Sequence, residues 1–132
     1  MERDGAAPRI LIVDDDPVIL RLLQINFRLE GYEVDTATRG EEALERVRSN
    51  RPEIVVLDVM MPGIDGWEVL RRLKETPAAK HIPVIFLSAR AQDEDRRQGY
   101  ALGVDEYVTK PFDPAHLVEI VRRSLAKHSA QA

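Results

Sequence analysis

The sequence contains no cysteine among its 132 residues. It therefore has neither disulfide bonds nor a thiolate metal site, which is compatible with a reducing compartment, and we expect a cytoplasmic protein. It also lacks an apolar run long enough to span a bilayer, and residues 1–9 lack the apolar stretch of a signal peptide. These absences predict a protein without disulfides and without membrane association.

Positive charge is not in excess either. The 19 Lys and Arg residues are outnumbered by 23 Asp and Glu residues, which gives a formal net charge of −4. Such a chain is a poor binder of polyanionic nucleic acid, so we expect no direct contact with nucleic acid. With 44% hydrophobic and 32% charged residues, the composition is typical of a single globular domain with a well-solvated surface.

Short apolar runs alternate with amphipathic stretches along the chain. The predicted strands cover residues 10–13, 32–37, 54–57, 84–87 and 106–109. The first and third runs are apolar throughout instead of alternating, which predicts strands that are buried on both faces of a parallel sheet. The whole pattern predicts one α/β domain built from five βα units.

Signals for helix starts follow the predicted strands. Asp16 is placed as an N-cap with Pro17 as the first helical residue, and Gly31 suits the residue after the helix end. Between them, four apolar residues recur at helical spacing: Val18, Leu22, Ile25 and Leu29. Thr38 and Glu41 have the spacing of a capping box, which predicts the start of a second helix.

Three further helices are predicted, over residues 66–75, over residues 93–102 and from Asp113 onward. Asp113 is followed by Pro114, which repeats the cap-plus-proline start of the first helix. The charged run at 94–97 is predicted to be a solvated face of the fourth helix, since charge runs in helices usually are.

Polar residues collect where predicted strands end. Asp14 and Asp15 follow the first strand, Asp58 the third, Ser88 the fourth and Lys110 the fifth. Because the carboxyl ends of parallel strands share one edge, these side chains converge near the point where strand order reverses. Adjacent carboxylates need a positive partner to offset their repulsion and desolvation. The set predicts a site for a hard divalent cation such as Mg²⁺, which keeps positions open for water and phosphate oxygens.

Four motifs, in this order, resemble those of the response-regulator receiver family. They are Val13-Asp14-Asp15, Leu57-Asp58 with Met61-Pro62-Gly63-Ile64-Asp65-Gly66, Leu87-Ser88-Ala89, and Tyr107-Val108-Thr109-Lys110-Pro111-Phe112. The resemblance covers residues 9–127 and implies a flavodoxin-like, doubly wound α/β fold with a parallel five-stranded sheet of order 2-1-3-4-5. Residues 1–8 are then expected to form a disordered N-terminal tail, and residues 128–132 a C-terminal tail.

The same resemblance implies a phosphoacceptor switch of a two-component system. Asp58 would accept a phosphoryl group from a sensor histidine kinase or a histidine phosphotransfer protein. Asp15, Asp58 and the backbone carbonyl of Met60 would bind Mg²⁺, for which Mn²⁺ can substitute, and Asp14 would act through a metal-bound water. Such domains change their own phosphorylation state, so we expect no turnover of an external substrate.

Further residues take roles by the same resemblance. Lys110 and Ser88 would contact phosphoryl oxygens, and the ring of Tyr107 would turn inward as the switch responds. Met60 and Arg90, each two residues after a site residue, would modulate dephosphorylation. The response would reshape the face formed by the fourth helix, fifth strand and fifth helix, where we expect a phosphorylation-dependent homodimer.

Three alternatives stay open from the sequence. A Mg²⁺-dependent phosphohydrolase would also use an aspartyl phosphate, but such enzymes usually place a second acid two residues after the nucleophile, where this chain has Met60. A degenerate receiver that serves only as an interaction module would be expected to lack part of the acidic set, Ser88 or Lys110. A flavin- or nucleotide-binding domain of this architecture would need a glycine-rich loop after the first strand, where Asp14 and Asp15 would repel phosphate.

Overall fold

The computed structural model describes residues 7–90 and 92–131. Its elements, in chain order, are β1 (Arg9–Val13), α1 (Pro17–Leu29), β2 (Glu33–Ala37), α2 (Gly40–Ser49), β3 (Ile54–Asp58), α3 (Gly66–Lys74), β4 (Val84–Ser88), α4 (Asp93–Ala101), β5 (Glu106–Thr109) and α5 (Pro114–Gln131). Of the expected N-terminal tail, residues 1–6 lie outside the described residues. Pro8 already belongs to the fold, because its carbonyl accepts a backbone hydrogen bond from Glu33 at 2.9 Å.

The five strands form one parallel sheet in the order β2-β1-β3-β4-β5, which confirms the predicted flavodoxin-like topology. Side chains alternate between the two faces of each strand. Ile10 and Ile12 of β1 pack with α1 and α5, whereas Leu11 and Val13 pack with α2 and α3. Strand order reverses around β1, so the carboxyl ends of β1 and β3 border the crevice where such sheets bind ligands.

Helix α1 begins and ends as its sequence predicts. Oδ1 of Asp16 accepts a hydrogen bond from the amide of Val18 at 2.9 Å, and Gly31, with φ of 95°, follows the helix end. The buried face is made of residues outside the predicted stripe: Leu20, Leu23 and Phe27. The stripe itself is exposed: Val18 at 73%, Leu22 at 42%, Ile25 at 51% and Leu29 at 80%. Spacing identifies the helix but cannot choose its buried face, because α1 is apolar on both sides.

Helix α2 begins one residue later than the capping-box prediction requires. Its N-cap is Arg39, which makes no side-chain hydrogen bond as a cap. The predicted pairing of Thr38 with Glu41 is therefore wrong. Because the helix starts at Gly40, the third helical position belongs to Glu42, whose Oε1 accepts a hydrogen bond from the amide of Thr38 at 2.9 Å.

Helix α5 continues through Gln131, past the point where a C-terminal tail was expected to begin at residue 128. The physical reason is a tertiary contact, since Nε2 of His128 lies 2.7 Å from Oδ2 of Asp105 in the turn before β5. Among the described residues, no helix is both long enough and apolar enough to cross a bilayer.

Candidate functional site

The polar residues predicted at the strand ends lie together at the carboxyl edge of the sheet. Asp14 and Asp15 follow β1, Asp58 and Ser88 end β3 and β4, and Lys110 follows β5. Asp14, Asp58 and Ser88 are buried, with 0%, 3% and 0% of their surfaces exposed, whereas Asp15 is exposed. Carboxylate oxygens of the three aspartates lie within 4.8 Å of one another. The structure thus brings the whole predicted set together.

The turn from β1 into α1 positions Asp14. Its amide donates a hydrogen bond to the carbonyl of Ala37, the last residue of β2, at 3.1 Å. Its Oδ1 accepts a hydrogen bond from the amide of Asp16 at 2.9 Å, and Asp16 in turn caps α1. One oxygen of Asp14 is therefore held by the turn, and the other, Oδ2, faces the site.

Asp58 is held by the loop that follows it. Its Oδ1 accepts a hydrogen bond from the amide of Met60 at 3.2 Å. The amide of Val59 donates to the carbonyl of Leu87 at 3.0 Å, and the amide of Gly66 donates to the carbonyl of Val59 at 2.9 Å. A Cβ on Gly66 would lie 2.7 Å from the carbonyl oxygen of Asp58, so only glycine allows α3 to begin this close to β3.

Lys110 supplies the positive charge of the cluster. Its Nζ lies 3.0 Å from Oδ2 of Asp14 and 3.4 Å from Oδ2 of Asp58. Its amide donates to the carbonyl of Ser88 at 2.8 Å, and its peptide bond to Pro111 is cis. Burial alone would lower the pKa of Lys110, but the two carboxylates outweigh burial and raise that pKa above its ordinary value. Lys110 therefore stays charged.

The single ammonium of Lys110 does not balance the negative charge of three carboxylates. The pKa of Asp58 shows the effect of its buried, acidic surroundings. Burial and then repulsion from Asp14 raise the pKa of Asp58, Lys110 and the Met60 amide lower it, and the net result is a pKa of about 7. Asp58 is therefore only partly ionised at neutral pH without a further cation. A divalent cation beside the carboxylate would lower its pKa and favour the ionised form at neutral pH.

The residues of the site fit such a cation. Oδ2 of Asp14 is buried, and its one polar contact within the part of the chain that the structure describes is with Nζ of Lys110 at 3.0 Å, which is shared with Asp58. A carboxylate oxygen can accept more than one partner, so Oδ2 can also accept a hydrogen bond from a metal-bound water. The donor set consists of carboxylate oxygens, which suit Mg²⁺ or Mn²⁺ better than metals that prefer imidazole or thiolate.

A hydrogen-bonded path leads from the acidic cluster toward α4 and β5. Oγ of Ser88 accepts a hydrogen bond from the amide of Arg90 at 3.0 Å, and the carbonyl of Arg90 accepts one from the hydroxyl of Tyr107 at 2.9 Å. The ring of Tyr107 is only 4% exposed and packs edge-on against Phe86, with 6.0 Å between the ring centroids. Tyr107 therefore already lies inward in this structure.

Two residues of α4 belong to this region, although the sequence predicts a solvated charge run there. Asp95 is 6% exposed and pairs with Arg90 at 3.0 Å. The guanidinium of Arg96 lies 5.4 Å from the ring centroid of Tyr107 and donates to the carbonyl of Tyr107 at 3.1 Å. The prediction is wrong for both residues. The only sequence signal is Gly99, buried one turn after Asp95, which marks the inner face of α4.

Comparison with known proteins supports the same interpretation. The family model for the response regulator receiver domain matches residues 10–122. The chain is 40% identical over 120 residues to the phosphate regulon transcriptional regulatory protein PhoB of Rhizobium meliloti, covering 91% of this chain and 53% of that protein. It is 45% identical over 114 residues to the response regulator PleD of Caulobacter vibrioides, covering 86% and 25%.

A solved structure agrees with these relatives. The crystal structure of a putative response regulator from Chloroflexus aurantiacus is 38% identical, with a TM-score of 0.86, and the match covers 91% of this chain and 98% of that one. The chain spans about half the length of PhoB and a quarter of PleD. The fold, the acidic cluster and the family match lead to one conclusion: the chain belongs to the response-regulator receiver family, the phosphoacceptor signalling domain of two-component systems.

Proposed function

We propose that Asp58 is the phosphoacceptor of this receiver domain. The main support is the geometry of its buried carboxylate. One oxygen accepts a hydrogen bond from the amide of Met60, and the other lies 3.4 Å from Nζ of Lys110. A carboxylate oxygen of Asp58 attacks the phosphorus of a phosphohistidine, the P–N bond breaks, and the departing imidazole keeps the electron pair. The product is an acyl phosphate, an activated species whose hydrolysis makes the signal transient.

Asp15, Asp58 and the backbone carbonyl of Met60 would hold a Mg²⁺ or Mn²⁺ ion, with Asp14 acting through a bound water. The support is the approach of three carboxylates to within 4.8 Å, with the single ammonium of Lys110 shared between two of them. When bound, the ion supplies positive charge to the phosphoryl oxygens and to the acceptor carboxylate.

Lys110 and Ser88 would bind phosphoryl oxygens. Because Lys110 lies between Asp14 and Asp58, a doubly charged group on Asp58 would draw its ammonium away from Asp14. The hydroxyl of Ser88 accepts from the Arg90 amide and can donate its own hydrogen to a phosphoryl oxygen. Since Arg90 is also bonded to Tyr107, a movement of Ser88 would reach the α4–β5 side, and Arg90 would modulate the switch.

The phosphodonor, a sensor histidine kinase or a phosphotransfer protein, would dock on the exposed stripe of α1. We name this stripe the α1 ridge: Val18, Leu22, Ile25 and Leu29. The ridge starts beside Asp16, next to the acidic cluster, so a helix lying on it would bring a donor histidine close to Asp58. Its spacing of four, three and four residues matches one side of a helix pair. Arg21 and Arg28 flank it on α1, which favours a partner helix with acidic flanks.

A phosphohydrolase acting on external substrates fits this site less well. The position two residues after Asp58 holds Met60, whose apolar side chain is 52% exposed. The remaining acids are assigned to the cation, Asp15 as a direct ligand and Asp14 through a bound water. We therefore infer that turnover is confined to the domain's own phosphoryl group, in the cytoplasm, where kinases have access to ATP.

The phosphorylated state would be read on the face made by α4, β5 and α5, through a homodimer. Arg96 and Tyr107 join α4 to β5 on this face, and Tyr100 is 46% exposed beside them. A two-fold contact satisfies charges of both signs reciprocally. Sedimentation should show a dimer once the phosphoryl mimic beryllofluoride is bound, and unchanged sedimentation would contradict this readout.

Fluorine NMR with beryllium, fluoride and Mg²⁺ tests the acceptor assignment. The mimic requires an ionised carboxylate beside a cation, so a bound fluorine signal is expected for wild type. Asp93→Asn, which removes an exposed carboxylate at the start of α4, should keep the signal. Asp58→Asn should abolish it, and a bound signal that survives in this variant would refute the proposal.

A further inference from the structure

A groove between α2 and α3 lies apart from the acidic cluster. Its volume is about 460 Å³, and it is lined by Leu44, Val47, Leu73 and Ala79 together with three arginines. Arg51 lies shortly before β3 and Ala79 shortly before β4, so the groove reaches the amino edge of the sheet. Asp58 is at the opposite edge, at the end of β3. The groove therefore takes no part in phosphoryl transfer.

The groove combines an apolar floor with a basic rim. Val47, Leu73 and Ala79 of the floor are 7%, 3% and 4% exposed and belong to the hydrophobic core. The rim carries three guanidinium groups, from Arg48, Arg51 and Arg72, and no carboxylate is among the lining residues. Carboxylates of the same helices pair with Arg48 and Arg72, so the unpaired positive charge of the rim belongs to Arg51.

Interactions within α2 and α3 explain two of the three rim arginines. Arg48 pairs with Glu45, and Arg72 pairs with Glu68 at 2.7 Å, each within its own helix. Exposed pairs of this kind are weak, so these guanidiniums can exchange partners. Both arginines also lie near helix C-termini, where positive charge offsets the helix dipole. Arg51 lies beyond the end of α2 and forms no ion pair with any described residue.

We propose that the α2–α3 groove binds an acidic peptide segment of a partner protein. A large apolar side chain of the segment would cover the floor at Leu44 and Leu73, and flanking carboxylates would face the rim. A guanidinium can donate two parallel hydrogen bonds to one carboxylate, so an arginine rim favours carboxylates as binding partners. A nucleic acid would need a continuous basic track to follow its phosphates, whereas here the basic groups surround an apolar floor. The site is independent of phosphorylation on Asp58.

A short fluorescein-labelled peptide of Glu residues around a central Leu-Leu pair is the probe. Fluorescence anisotropy should show that this peptide binds equally to wild type and to Asp58→Asn. A control peptide with Lys in place of Glu should not bind. Arg51→Glu should weaken binding by at least about tenfold, since it reverses one charge in the rim. Ala78→Glu, which adds a carboxylate to the groove at an exposed position, should do the same.

The matched control is Arg97→Glu, an exposed arginine on α4, which should bind the peptide like wild type. Amide NMR should show shifts confined to α2, α3 and the loops that follow them. Equal binding by Arg51→Glu and wild type, shifts centred elsewhere, or no binding at millimolar peptide would overturn the proposal. Self-association of wild type that Arg51→Glu abolishes would also overturn it, because the occupant would then be a second copy of the chain.

Discussion

The ammonium group of Lys110 lies 3.0 Å from Oδ2 of Asp14, a buried oxygen with no other polar partner among the described residues. The acceptor carboxylate of Asp58 lies farther from the same ammonium, at 3.4 Å. One ammonium is therefore shared between two buried carboxylates, and Asp14 is the nearer of the two. Burial and repulsion from Asp14 outweigh this shared ammonium and raise the pKa of Asp58 to about 7, so a cation added beside Asp58 would lower that pKa.

Removing the ammonium should destabilise the fold. Lys110→Met leaves Asp14 and Asp58 buried without a cation, so the free energy of unfolding in Mg²⁺-free neutral buffer should fall by about 3 kcal/mol. Urea denaturation followed by circular dichroism measures this change. Lys127→Met, at an exposed lysine of α5, is the control and should change stability little. A loss no larger than that of the control would contradict the role of Lys110.

Asp58 should make stability fall as pH rises. Its pKa is raised from an ordinary 3.8 to about 7, so the folded state binds the extra proton between these values. The free energy of unfolding should therefore decline across this window, by an amount on the order of 4 kcal/mol. Asp58→Asn lacks this titration. In Mg²⁺-free urea denaturation, the free energy of unfolding of Asp58→Asn should be higher than that of wild type above pH 7, and the two values should converge near pH 4. A difference between the two proteins that stays constant with pH would contradict the prediction.

Gly99 leaves room for the ring of Tyr107 to pack against the inner face of α4. A Cβ at this position would lie 3.0 Å from Cδ2 of Tyr107 and 3.2 Å from Cγ1 of Val104. Replacing glycine by alanine in a helix interior usually raises the free energy of unfolding by about 1 kcal/mol. Gly99→Ala should not show this increase, because its methyl group would crowd Tyr107 and Val104. Urea denaturation and ring NMR signals of Tyr107 measure the outcome. The exposed neighbour Gln98→Ala is the control, and a full gain with unshifted Tyr107 signals would contradict the prediction.

Polar substitutions on the α1 ridge should separate protein donors from small ones. Leu22→Gln with Ile25→Gln should slow phosphotransfer from a histidine kinase by about tenfold or more, because the apolar contact is lost. Phosphorylation by acetyl phosphate should keep its rate. Leu102→Gln, at a position 41% exposed on another face, is the control. Equal slowing with both donors would show that the ridge does not dock the donor.

The strand-end residues could be predicted because their context is local. Asp14 and Ser88 directly follow or end unbroken apolar runs, and parallel topology alone brings such ends to one edge. The buried face of α1 could not be predicted, since Leu23 and Leu22 are equally apolar neighbours and only packing against the sheet distinguishes them. Asp95 is buried because Arg90 reaches it from the loop after β4, a contact that a charged run in the sequence does not reveal.

Intact-mass spectrometry after incubation with acetyl phosphate and Mg²⁺ tests most directly whether Asp58 is the phosphoacceptor. Wild type and the control Asp93→Asn should each gain the mass of one phosphoryl group, and chelation of the Mg²⁺ should prevent the gain. Asp58→Asn should gain none. A phosphoryl group that persists undiminished in Asp58→Asn would contradict the assignment.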